Sequence, residues 1–144
     1  MSVDSYSYLG YGLIYKLEDL TSLRALLRPE DKGILSPANM VPGGGIFMEV
    51  MEALYRGVLS TSLPNLRVEV SQDGSGYSFP VTLVITAKST VKQIDFSEEN
   101  FEAMGFNDFP KPTEKEMEEF ASLAEMGGAK PNQNPNYVIW GMVY

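Results

Sequence analysis

Two alternating runs flanking a turn constrain this chain more than any other feature. In the first, Leu66, Val68 and Val70 alternate with Arg67, Glu69 and Ser71. In the second, Tyr77, Phe79, Val81, Leu83 and Ile85 alternate with Ser78, Pro80, Thr82, Val84 and Thr86. Between them lies DGSG, Asp73 to Gly76, a turn composition. A period of two puts successive side chains on opposite faces of a strand, so the pattern predicts an antiparallel hairpin with one buried face. Pro80 cannot donate to a ladder, which predicts an edge position or a bulge for the second strand. The strand either continues past Lys88 or is followed by a short one near Val91 to Phe96.

A hairpin alone is not a domain, and the flanking segments supply the rest. Tyr6 to Lys16 is aromatic and β-branched and reads as a first strand, with a bare patch at Gly10 and Gly12. Leu17 to Arg28 carries Leu20, Leu23, Leu26 and Leu27 on a helical stripe that Pro29 ends. Pro29 to Gly45 reads as a long irregular segment, a type that is uncommon in compact domains and often functional. Ile46 to Leu59 is predicted helical, with Phe47, Val50, Met51, Leu54 and Val58 inward and Glu52 paired with Arg56. Ser97 starts a short helix ending by Gly105. Thr113 and Glu116 form a capping box for a further helix that stops at Gly127 and Gly128, with Met117, Phe120, Ala121 and Ala124 buried. The polar linker AKPNQNPN leads to a last strand, Tyr137 to Tyr144, apolar on both faces as in a central strand. The expected fold class is α+β: a single domain, residues 1–144, whose largely antiparallel sheet of about four to five strands joins the N- and C-terminal strands to the central hairpin, with helices packed on it.

Chemistry is narrowed by what is missing. The 144 residues contain no His and no Cys, which removes imidazole and thiolate catalysis, disulfides and nearly all zinc, copper or iron sites. No cofactor and no metal are expected. Catalysis would need paired carboxylates with Mg²⁺, or a Lys or Tyr acid/base. The net charge of −8 lies between Asp95 and Glu125, where ten acids face two lysines; the remainder is neutral. An acidic third argues against direct nucleic-acid binding. The N-terminal stretch MSVDSYSYLGYG has neither a basic region nor a long apolar run, so no signal peptide is expected, and no segment has spanning length. A cytoplasmic location is the default expectation.

Three places are candidates for recognition. Gly43, Gly44 and Gly45 precede a helix, where free N–H groups and the helix dipole meet anions. The Lys and Ser/Thr of a phosphate-binding loop are absent, Ile46 and Phe47 follow, and Glu49 is close. The plainer reading is a tightly turning helix start. It becomes a site if Arg24, Arg28 and Arg56 supply guanidinium groups and Tyr8 and Tyr11 stack a ring. In the acidic segment, Glu114, Glu116, Glu118 and Glu119 either solvate a helix face or imitate nucleic-acid phosphates to a basic partner. Carboxylates such as Glu49, Glu52 and Glu69 with Lys88 or Lys92 would serve a small hydrolase or transferase, but their spacing is not diagnostic.

No family's signature residues are visible. The expected function is a small non-enzymatic binding or sequestering protein, of the accessory or inhibitor kind that bacteriophages encode. It would hold a small anionic ligand such as a nucleotide, or a protein partner, and form a homo-oligomer. The alternatives are an acidic nucleic-acid mimic and a carboxylate- and Mg²⁺-dependent enzyme.

Overall fold

A computed structural model describes residues 5–41, 44–72, 81–94, 109–128 and 133–143. The expected DGSG turn, Pro80, the Ser97 to Gly105 helix, Gly43, and the acids from Asp95 to Asp108 lie outside these residues. The fold is α+β; among the described residues five antiparallel strands form one sheet with helices on one face. Strand β1 (Ser5–Tyr15) is central. Along one of its edges run β3 (Val81–Ala87) and then β4 (Lys92–Ile94); along the other runs β5 (Asn136–Val143). Strand β2 (Leu66–Gln72) pairs with the far side of β3. The two terminal strands therefore pair over eight residues, but β5 is an outer strand, not a central one. Strand β3 is flanked on both sides, so the expected edge strand is β2 instead.

The break between β3 and β4 has a local cause. Gly10 and Tyr11 on β1 face five residues, Ala87 to Val91, an insertion of three that coils into a 3-10 turn at Lys88–Thr90. This leaves the Tyr11 N–H without a ladder partner. The Thr90 hydroxyl accepts it at 2.9 Å and donates to the Ala87 carbonyl at 2.7 Å, so this N–H is not orphaned.

Residues 17–26 are helical, as expected, but wind as a 3-10 helix (Leu17–Leu26). Leu17, Leu20, Leu23 and Leu26 repeat every three residues. In an α-helix each step of three falls about 60° short of a full turn, which would spiral the leucines around the axis. At 3.0 residues per turn they stack in one stripe, and the last three are buried. The expected irregular segment is helical over much of its described part: 3-10 segments Pro29–Leu35 and Pro37–Asn39 each begin with proline at the first helical position. Helix α1 (Gly44–Arg56) stops at Gly57 and the short α2 (Val58–Thr61) follows, so the single helix expected to Leu59 is two.

The core lies between this helical layer and one sheet face. Leu13, Tyr15, Leu66, Val68, Leu83 and Ile85 supply the sheet side; Leu20, Leu23, Phe47, Val50 and Leu54 supply the helices. Helix α3 (Glu114–Glu125) starts at the expected capping box, with Thr113 Oγ1 accepting the Glu116 N–H at 3.2 Å and Glu116 accepting the Thr113 N–H at 2.7 Å. Gly127, at φ 89°, ends it. Its buried face is rotated from expectation: Glu116, Glu119, Phe120 and Leu123 face inward, while Met117, Ala121 and Ala124 are exposed.

The opposite sheet face curls on itself. Trp140 Nε1 donates to Glu69 Oε2 at 2.9 Å, and Ser71 Oγ donates to the Gly141 carbonyl at 2.8 Å. These bonds tie outer strands β2 and β5 across the concave side. The glycine patch on β1 exists for this curl. A Cβ at Gly10 would stand 3.0 Å from the Trp140 ring, and one at Gly12 would stand 1.9 Å from the Ile85 carbonyl oxygen. Among the described residues no helix is long and apolar enough to cross a membrane.

Candidate functional site

The sequence candidates for an anion site fall at separate places. Gly44 and Gly45 open α1 and Arg56 closes it. Twelve residues at 1.5 Å each set them about 18 Å apart, beyond an arginine's reach. A Cβ at Gly45 meets nothing within 4 Å, so packing does not shape a cradle there. Arg56 bonds Asp31 Oδ1 at 3.1 Å instead of pairing with Glu52, and Arg28 Nε bonds Asp31 Oδ2 at 3.0 Å. Arg28 and Arg56 are thus brought together, by a buried aspartate and at the far end of the helix from the glycines. Arg24 is exposed on the 3-10 helix. Burial pushes the Asp31 carboxyl up, but the hydrogen bonds and charges of Arg28 and Arg56 outweigh it and hold it below its ordinary range.

The tyrosines also part. Tyr8 and Tyr11 are three apart on one strand and so face opposite sides of the sheet. Tyr8 stacks on Trp140 in the concave face, with centroids 5.9 Å apart. Tyr11 sits edge-on to Phe120 and Tyr137 on the helical side. Tyrosines, arginines and glycines therefore do not converge on one ligand.

The acidic helix divides in two. Glu114 and Glu118 are exposed. Glu116 and Glu119, only 2% and 7% exposed, are internal ties. Glu116 accepts the Ser89 N–H at 2.8 Å, the Ser89 hydroxyl and the Thr113 N–H. Burial raises its pKa, yet the hydrogen bonds from Ser89 and Thr113 leave it below the ordinary glutamate value. Glu119 accepts the Asn65 N–H at 2.8 Å and the Asn65 amide at 2.6 Å. The two carboxylates clamp α3 onto the turns flanking β2 and β3, so only Glu114 and Glu118 of the four candidates remain available to a partner.

That clamp creates a groove. With Glu116, Glu119, Phe120 and Leu123 inward, Lys115, Glu118 and Ser122 fall along the rim of α3; across from them stand Thr61, Ser62, Pro64 and Asn65. The space between is about 380 Å³, with the Glu119–Asn65 contact along it. Its walls offer three hydroxyls, an ammonium, two carboxylates and an amide, a donor and acceptor set suited to a hydrogen-bonding chain. Sequence reasoning named Glu118 and Glu119 but missed Thr61, Ser62, Asn65, Lys115 and Ser122. No local motif marks them, because the two walls lie fifty residues or more apart in sequence.

The carboxylates of the enzymatic reading are dispersed. Glu49 and Glu52 are exposed on α1, whereas Glu69 pairs with Arg67 and accepts from Trp140. Among the described residues no group of three or more His, Cys, Asp or Glu is placed to hold a metal. No family model, curated protein or solved structure matches the chain.

Proposed function

We propose that this is a small non-enzymatic binding protein that sequesters or modulates a protein partner, in the manner of an accessory inhibitor. The observation that carries the reading is the polar groove of about 380 Å³ along α3. Binding sites are concave, with a few convergent polar groups, and this groove adjoins the exposed acids Glu114 and Glu118 of a chain whose net charge is −8. The partner segment that suits it is extended and basic: its backbone bonds to Thr61, Ser62 and Ser122, and its cations are attracted by Glu114 and Glu118. A nucleotide-like ligand is less well supported, since the glycines, arginines and tyrosines it needs stand apart.

The test is an array of extended peptides, basic and acidic, probed with the intact protein and followed by NMR titration of the hits. Lys- or Arg-bearing peptides are expected to bind and to shift the amides of Ser62, Asn65 and Ser122. Filling the groove by Ser122→Trp should weaken binding roughly tenfold or more. Binding that survives Ser122→Trp, or hits that leave the groove amides unmoved, would refute the assignment.

A further inference from the structure

The Arg28–Asp31–Arg56 cluster is separate from the groove and unused by the partner reading. Asp31 is 8% exposed and gives one carboxylate oxygen to each arginine. The guanidinium groups remain open: the side chains of Arg28 and Arg56 keep 40% and 45% of their surface. Arg28 donates through Nε and Arg56 through Nη2. Beyond these bonds and the Arg28–Glu30 ion pair, the two guanidinium groups make no further hydrogen bond to the described residues. The Arg28 stem lies over Gly57, where a Cβ would approach its Cγ to 3.3 Å. A buried anion thus holds two cations side by side with their remaining donors toward solvent, so an incoming ligand does not have to immobilise them.

We infer that Arg28 and Arg56 form an oxyanion receptor, positioned by Asp31, for a phosphate group on a small molecule. A carboxylate has two oxygens and matches one guanidinium fork. A phosphate carries nearly two charges and three strong acceptors, and so engages both arginines at once. Glu30 is the internal competitor: it lies 3.3 Å from Arg28 Nε and is itself exposed. Its carboxylate occupies ground that a bound phosphate would take.

The experiment titrates inorganic phosphate into the intact protein at constant ionic strength and reads the arginine Nε–H NMR signals, with sodium chloride and sodium acetate as parallel arms. Saturable shifts are expected at Arg28 and Arg56 but not at Arg24 or Arg67. Chloride should do nothing, and acetate should act more weakly than phosphate. Glu30→Gln, an exposed change, should tighten phosphate by roughly twofold or more. Arg56→Lys keeps a cation beside Asp31 but loses the fork, and should weaken it roughly tenfold. The inference is overturned if all arginines shift alike, if chloride or acetate matches phosphate, or if Arg56→Lys binds as the parent does.

Discussion

Replacing Glu116 by alanine tests whether buried carboxylates hold α3 on the sheet. The side chain is buried and accepts three hydrogen bonds, two from Ser89 and one from Thr113. A bond to a charged acceptor contributes about 1.5–3 kcal/mol when its loss leaves the donor unsatisfied. Ser89 is exposed, so water recovers part of this, and the net destabilisation should be about 2–4 kcal/mol. In a chain of this size that lowers Tm by roughly 5–12 °C. Trp140, the only tryptophan, reports unfolding in urea through its fluorescence. Glu118→Ala, on the exposed face of the same helix, should stay within about 0.5 kcal/mol of the parent. The pH dependence follows from the lowered pKa of Glu116. A carboxylate that titrates lower in the folded state stabilises at pH above the ordinary glutamate range, and that contribution is lost as acid carries the pH down through the folded value. The gap between the parent and Glu116→Ala should therefore narrow on going from about pH 7 to about pH 3. Equal, small effects of Glu116→Ala and Glu118→Ala, or a gap independent of pH, would refute the clamp.

Two further substitutions probe the sheet. Gly12→Ala places a methyl 1.9 Å from the Ile85 carbonyl oxygen, backbone that cannot step aside, so no cooperative unfolding transition should survive. Gly10→Ala meets side chains rather than backbone, the Trp140 ring at 3.0 Å and the Thr86 methyl at 3.3 Å, and should cost about 1–3 kcal/mol while shifting the Trp140 emission; equal effects at the two glycines would contradict this geometry. Tyr55→Phe removes the hydroxyl that accepts the Val68 N–H at 3.0 Å and donates to the Val68 carbonyl at 2.9 Å on the outer edge of β2. It should cost about 1–2 kcal/mol and speed amide exchange at Val68; unchanged exchange would mean that the edge does not depend on this plug.

Elements whose signal is local were legible. The antiparallel pairing of β2 with β3, the Thr113–Glu116 capping box and the Gly127 stop each stand where adjacent residues place them, but β3, expected to bury one face, is buried on both from Leu83 to Ala87 because it lies between β1 and β2 under the curled sheet. Helical phase was not legible in the same way. Hydropathy assigns a glutamate to the surface, so Met117, Phe120, Ala121 and Ala124 read as the inner stripe of α3, of which only Phe120 is buried. The inner positions went instead to Glu116 and Glu119, because Ser89 and Asn65, 27 and 54 residues away, deliver the donors that make burial of a carboxylate tolerable. The candidate site shows the same limit. Glycines, arginines and tyrosines that could form one site on sequence grounds are separated by the length of α1 and by the two faces of β1.

The sequence by itself determined the strand periodicity, the leucine repeat, the absence of His and Cys, and the concentration of negative charge, since each is a property of neighbouring residues or of composition. Only the tertiary structure decided the rest. The three-residue leucine spacing became a 3-10 helix where a sheet face lay beneath it. The bare glycines of β1 became the space for Trp140 and for the backbone of β3. Acids drawn as surface became the clamp that shapes the groove. Long-range pairings of this kind depend on which donors, rings and backbones the fold brings within a few ångströms, and no local pattern encodes that.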